Sequence, residues 1–103
     1  NISCPNLEAD GRAFAMEPGS AAAATRAMRA ATRLPLWVKL SPNTGDIAAV
    51  ARAVEAEGAD ALVVANTILG LAIDIETARP KLGSGPGGFS GPGFKPIALR
   101  LVW

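Results

Sequence analysis

The chain holds a single thiol, Cys4, and no histidine. A lone cysteine forms no internal disulfide, and without histidine a Cys/His metal site is excluded, so the thiol is free and is either reactive or a buried inert side chain. No metal is expected. The second chemical group is Lys39, set inside the apolar run Leu36-Trp37-Val38-Lys39-Leu40. An ammonium there is costly unless something faces it, and three partners fit: an electron-rich cofactor, a carbonyl attacked in Schiff-base chemistry, or a structural carboxylate. Polar side chains gather in short clusters around Asn1, Ser3 and Asn6, at Asn66-Thr67, and in Gly87-Gly88-Phe89-Ser90-Gly91. Carboxamides offer both a donor and an acceptor, although asparagines at strand ends also cap turns. Glycines let backbone approach a ligand closely.

The elements that must carry these residues read as alternating strands and helices. Asn1 to Asn6 looks like the end of a strand, and the chain is expected to be truncated at both ends. Pro18 to Arg33 is alanine-rich, with Pro18 suited to a first turn and cations toward the far end, which predicts a helix closed before Pro35. Leu36 to Leu40 predicts a buried strand stopped by Ser41-Pro42-Asn43. Thr44 or Asp46 can cap the next helix, whose Ile47, Val50, Ala51 and Val54 fall at helical spacing and which closes at Gly58. Ala61 to Ala65 is a continuous apolar run, the pattern of a parallel strand buried on both faces. The Gly-rich stretch from Thr67 to Gly93 predicts a long functional loop, and Pro92 to Trp103 a last helix. This order predicts an α/β fold with parallel strands: about three consecutive βα units of a (β/α)₈ TIM barrel, which needs about 250 residues when complete. Residues that follow the strands of such a barrel share one face, so Asn1, Ser3, Cys4, Pro5 and Asn6, Lys39 from within the second strand, Asn66 and Thr67, and Gly87, Gly88, Ser90 and Gly91 should converge there.

Composition narrows the partners. Ten Lys and Arg against nine Asp and Glu give a formal charge of +1, and the cations are scattered. That leaves no footprint for nucleic acid or an anionic membrane. The apolar runs are too short to span a bilayer and no signal peptide is evident, so a cytoplasmic location is expected.

Five motifs then carry a resemblance. Asn1-Ile-Ser-Cys-Pro-Asn6, Val38-Lys-Leu-Ser-Pro-Asn43, Gly58-Ala-Asp-Ala61, Asn66-Thr67 and Gly87-Gly-Phe-Ser-Gly-Pro92 are similar, in order and spacing, to the dihydroorotate dehydrogenases, and together they span nearly the entire chain. Cysteine in the first motif resembles the soluble class 1 branch; Asn66-Thr67 followed by Ala72-Ile-Asp-Ile-Glu-Thr77 resembles its NAD-linked form. The resemblance implies that residues 1–103 are part of an FMN-binding catalytic barrel that oxidises dihydroorotate to orotate in de novo pyrimidine biosynthesis. It implies Cys4 as general base; Asn1, Lys39, Ala65 and Gly91 as FMN contacts; and Asn1, Asn66 and Thr67 as substrate contacts. It further implies a homodimer of the full subunit, or a heterotetramer with a partner subunit holding FAD and an iron–sulfur cluster. The segment alone is expected to be inactive, since the FMN phosphate site of such barrels lies after later strands. Two other readings stay open: the flavin domain of a dihydropyrimidine dehydrogenase, and a Schiff-base aldolase using Lys39.

Overall fold

The computed structural model describes residues 1–4 and 14–103. A short 3₁₀ turn, Phe14–Met16, leads into helix α1, Pro18–Ala31. Pro18 occupies the first turn, where its missing N–H costs nothing. The Ser20 hydroxyl shares its one proton between the carbonyls of Phe14 (2.8 Å) and Glu17 (3.1 Å) and ties the turn to the helix. Strand β1, Trp37–Lys39, follows, then helix α2, Ile47–Ala56, and strand β2, Ala61–Val63. The β1–β2 pair is parallel, with Val38 opposite Leu62 and Lys39 opposite Val63. Asp46, not Thr44, caps α2: its Oδ1 accepts from the Ala49 N–H at 2.9 Å. The Thr44 hydroxyl donates instead to the Met16 carbonyl at 2.9 Å, which pins the start of α1 beside the start of α2.

The core lies between the two helices and one face of the strand pair. Ala21, Val38, Leu40, Val50 and Val54 are buried together, with Ile2, Leu36, Ile47, Ala51, Ala59 and Val64 packed around them. The helical spacing of Ile47, Val50, Ala51 and Val54 therefore does face the strands. Each fully buried Leu or Val contributes about 1.5–3 kcal/mol relative to exposure. Small alanines on α1 let it approach closely, and Ala21 and Thr25 are its buried residues.

Two expectations need correction. The strands are not buried on both faces: Trp37 is 68% exposed, and Leu62 and Val63 are 37% exposed. Among the described residues helices cover one face only, so the alternate side chains Trp37, Lys39 and Val63 occupy a face without a layer over it. Nor is the stretch from Thr67 to Gly93 a structureless loop. Strand β3, Ile68–Gly70, pairs antiparallel with a later strand, Gly87–Phe89; between them β4, Ile73–Asp74, pairs with β5, Arg79–Pro80, which makes Gly87–Phe89 strand β6. The inner turn is built on Asp74, whose Oδ1 accepts from the Glu76 and Thr77 N–H groups and the Thr77 hydroxyl at 2.9–3.1 Å. These bonds, the Thr77 N–H first, hold the Asp74 carboxyl below the usual carboxylate range. A second 3₁₀ turn, Pro92–Phe94, precedes helix α3, Lys95–Val102. The radius of gyration, 15.3 Å, exceeds the roughly 13 Å of a compact domain of this length, as an elongated molecule of 53 × 32 × 22 Å requires.

Candidate functional site

The chemistry-bearing residues collect where β1 and β2 end. Leu40, just past β1, receives the Asn66 N–H at 3.0 Å and donates its own N–H to the Val63 carbonyl at 3.1 Å. The parallel pairing thus continues beyond the strands and delivers Asn66 to the end of β1. From there the Asn66 side chain reaches the first residues of the chain, where Nδ2 donates to the Ser3 carbonyl at 3.1 Å and to Ser3 Oγ at 2.9 Å. The Ser3 hydroxyl donates onward to Asn1 Oδ1 at 2.7 Å, and the same oxygen accepts the Ser3 N–H at 3.1 Å. Ser3 is 3% exposed, while Asn1 is exposed and Cys4 is half-buried. One relay therefore joins Asn1, Ser3 and Asn66 and fixes the backbone that bears the Cys4 thiol.

Beyond Asn66 the chain is steered by a second amide. Asn66 Oδ1 accepts from the Thr67 N–H at 2.8 Å. Asn43 Nδ2 donates to the Thr67 carbonyl at 3.1 Å, and Asn43 Oδ1 accepts the Leu69 N–H at 2.9 Å. The Asn43 carboxamide thus offers one donor and one acceptor to the edge of β3, as a neighbouring strand would. Ser41 Oγ accepts from the Asn43 N–H at 3.2 Å and orients that residue. On the far side, Thr67 lies against Gly88 of β6: a Cβ at Gly88 would collide with Thr67 Oγ1 and come within 3.0 Å of Thr67 Cβ.

Asn1, Cys4, Asn66 and Thr67 are thus gathered on one hydrogen-bonded framework. Ala65 stands beside Asn66 and is half-buried. Lys39 lies in β1 on the uncovered face, opposite Val63, and among the described residues no carboxylate forms an ion pair with it. Gly91 opens the 3₁₀ turn after β6 with φ +95°, a conformation glycine adopts freely, and has open space where a side chain would stand. No hydrogen bond among the described residues links Lys39 or Gly91 to the asparagine relay. Pro5 and Asn6 of the first motif lie outside the described residues. Two residues do more than the sequence reading assigned them: Ser3, named only within its polar cluster, links the two asparagines, and Asn43, read as part of a turn and of the second motif, steers the chain after Asn66. The sequence signal for Asn43 is the Ser-Pro-Asn cluster itself, since its amide bonds reach across 24 and 26 positions.

No helix among the described residues is long and apolar enough to cross a membrane, and no cluster of three acidic or cysteine side chains is placed to hold a metal ion.

The family profile of dihydroorotate dehydrogenase matches residues 1–103. The chain is 55% identical to the catalytic subunit of dihydroorotate dehydrogenase B (NAD(+)) of Trichlorobacter lovleyi, over 100% of this chain and 34% of that protein. It is 54% identical to the protein of the same description from Desulforamulus reducens, over 100% and 34%, and 50% identical to that from Geobacillus kaustophilus, over 100% and 33%. The chain therefore spans about a third of the length of these curated relatives.

Proposed function

Because this chain belongs to the dihydroorotate dehydrogenase family, we propose that it forms part of the active site of a flavin-dependent dehydrogenase that oxidises dihydroorotate to orotate in pyrimidine biosynthesis. The observation that carries this reading is the relay Asn1–Ser3–Asn66 beside the Cys4 thiol, at the end of β1 and β2 where a (β/α)₈ barrel places its chemistry. The bare face of the parallel strand pair supports the barrel, because parallel strands are stable with both faces covered and the remaining strands of a barrel would enclose Trp37, Lys39 and Val63.

Oxidation of dihydroorotate removes a hydride from one ring carbon and a proton from its neighbour, leaving a carbon–carbon double bond. Cys4, as thiolate, takes the proton and becomes the thiol. Asn1, Asn66 and Thr67 hold the ring through amide and hydroxyl groups, so that the carbon that loses its proton faces the Cys4 thiol. FMN supplies the hydride acceptor. The residues present fit it: Lys39 is a cation without an ion-pair partner among the described residues, on the face that would turn inward, and Gly91 leaves room for close approach. Lys39 would stand at the pyrimidine edge of the ring system, where negative charge accumulates on reduction. Asn1, the Ala65 backbone and Gly91 complete the contacts from this chain.

The relatives' description as catalytic subunits with NAD(+) supports a partner subunit; in our reading that partner holds FAD and an iron–sulfur cluster and passes electrons to NAD, in a heterotetramer or beside a homodimer, in the cytoplasm. The same relatives favour dihydroorotate over the dihydropyrimidine and Schiff-base readings. A full-length subunit carrying this segment should be yellow and should lose its flavin absorbance when mixed anaerobically with dihydroorotate. A colourless protein, or a flavin bleached by dihydrouracil and not by dihydroorotate, would overturn the proposal.

A further inference from the structure

We infer that Ser3 is a positioning residue that fixes which way round the Asn1 and Asn66 carboxamides stand, and thereby sets the hydrogen-bond pattern the bound ring must match. This rests on the function proposed above and adds a residue to it.

A carboxamide has an acceptor end and a donor end of nearly the same shape, so an asparagine at a binding site recognises opposite ligand groups depending on its orientation. Here the orientation follows from backbone groups whose polarity is beyond doubt. The Ser3 N–H can only donate, and it points at the Asn1 side chain at 3.1 Å, so the atom it meets is Oδ1. The Ser3 carbonyl can only accept, and it lies 3.1 Å from the Asn66 side chain, so the atom there is Nδ2. The hydroxyl between them has one proton. It donates to Asn1 Oδ1 at 2.7 Å and accepts from Asn66 Nδ2 at 2.9 Å, so the relay runs in one direction and agrees with both backbone groups.

The consequence lies on the outward ends. Asn1 Oδ1 is taken up by two Ser3 donors, and Asn1 Nδ2 has no acceptor among the described residues, so this exposed side chain offers a donor. Asn66 Nδ2 spends both protons on Ser3; its Oδ1 accepts one N–H, from Thr67, and retains a second lone pair. Asn66 therefore offers an acceptor. A donor from Asn1 and an acceptor from Asn66 match a ring that presents a carbonyl to the first and a ring N–H to the second, the pattern of a cyclic imide or ureide. A ring alkylated at that nitrogen leaves Asn66 Oδ1 facing a methyl group, and such a mismatch is rejected strongly. Ser3 is 3% exposed and touches no ligand in this scheme; it acts through the two asparagines.

The test uses a full-length subunit carrying this segment, with orotate and its two N-methylated forms as probes. Wild-type protein should bind orotate far more tightly than the N-methyl form whose substituent meets Asn66. Ser3→Ala should weaken orotate about tenfold, the scale of one hydrogen bond, and narrow the discrimination against that N-methyl form. Ser3→Thr keeps the hydroxyl and should hold both values within about threefold of wild type, on the same scale. An alanine variant with wild-type affinity and selectivity, or a threonine variant as impaired as alanine, would overturn the role of Ser3 while leaving the proposed reaction standing. Wild-type protein that binds no orotate would sink the reaction and this inference with it. A ligand-free measurement covers an alanine variant that fails to fold. In wild-type protein the side-chain NH₂ protons of Asn66 should exchange slowly with solvent, and those of Asn1 rapidly until orotate is added; the opposite order would overturn the assigned polarity.

Discussion

Arg29 Nη1 and Asp60 Oδ2 meet at 2.9 Å at the end of the strand pair opposite Asn66. The same carboxylate oxygen accepts the Leu36 N–H at 2.7 Å, and Arg29 Nη2 donates to the carbonyls of Thr32 and Leu34 at 2.7 Å. One ion pair thus ties the last turn of α1, the entry to β1 and the entry to β2. Gly58 belongs to the arrangement: its φ is +90°, and a Cβ there would press within 3.0 Å of Arg29 Cδ. The Gly58-Ala59-Asp60 motif is explained by this join, which lies away from the chemistry.

Asp60→Asn should lower the stability of the folded protein at neutral pH, with the deficit vanishing in acid. The Leu36 N–H, and then Arg29, hold the Asp60 carboxyl below its ordinary value. A depressed carboxyl contributes stability above the pKa of the unfolded chain, about 3.9, and loses it as pH falls through the lower folded value. Denaturant midpoints of the two proteins should therefore differ at pH 7 and converge below about pH 4. A gap that persists unchanged at low pH would assign the loss to packing.

The join was only partly legible in the sequence. Helix α2 and both strands of the parallel pair were readable because Ile47, Val50 and Val54 repeat at helical spacing and Ala61 to Ala65 is uninterrupted. Helix α1 was readable from alanine content, Pro18 and the cations toward its far end. Strands β3 and β6 were not, because Ile68-Leu69-Gly70 and Gly87-Gly88-Phe89 are three residues each, hold three glycines and show no alternation. Their pairing is set by the Asn43 amide and by the fit of Thr67 on Gly88, both distant in sequence. The same limit applies to the site. Position after a strand identified Asn1, Cys4 and Asn66 as candidates, but the Ser3–Asn66 bond spans 63 residues and leaves no local mark.

Asn43→Ala should loosen the β3–β6 pair while α1 and α2 stay intact. Two hydrogen bonds to the backbone of residues 67 and 69 disappear. At about 0.5–1.5 kcal/mol each, the local loss is on the order of 1–3 kcal/mol. Hydrogen exchange should then accelerate at the Leu69 amide and across Gly87–Phe89, with little change in α2. Uniform acceleration across all elements would contradict a local clamp.

Gly88→Ala should damage the site through Thr67. The added methyl collides with Thr67 Oγ1 and sits 3.0 Å from Thr67 Cβ, so the threonine must turn or the strand must move. Overpacking of this kind costs about 1–3 kcal/mol. Thr67→Ala removes both the hydroxyl and the methyl and makes room. The double variant should therefore be more stable than the sum of the single losses predicts, a coupling readable in a double-mutant cycle. Strict additivity would mean that the two residues do not share the space.

Lys39→Ala in a full-length subunit should weaken flavin retention or slow flavin reduction by dihydroorotate. The reason is the absence of an ion-pair partner for Lys39 among the described residues, combined with its place on the uncovered face of β1. Lys39→Arg keeps the charge with a different shape and should fall between. Wild-type flavin content together with a wild-type reduction rate in Lys39→Ala would leave the lysine with a structural role.

The sharpest prediction concerns Cys4. Its backbone is held by Ser3, whose carbonyl and hydroxyl are bound by Asn66, while its thiol is half-buried and free of any disulfide. The proposed role is to accept a proton from the carbon beside the one that gives up hydride, and neither flavin binding nor ring recognition uses the thiol. Cys4→Ala should therefore keep its flavin and bind orotate near wild-type affinity, yet reduce its flavin about 10²- to 10⁴-fold more slowly, the usual range for loss of a general base. Cys4→Ser should also fall well below the wild-type rate, because a hydroxyl gives up its proton less readily than a thiol and is less available as a base. Stopped-flow bleaching of the flavin by dihydroorotate in the three proteins separates these effects from binding. A Cys4→Ala variant that bleaches at the wild-type rate would remove the thiol from proton transfer, and the base would have to be sought on segments outside residues 1–103.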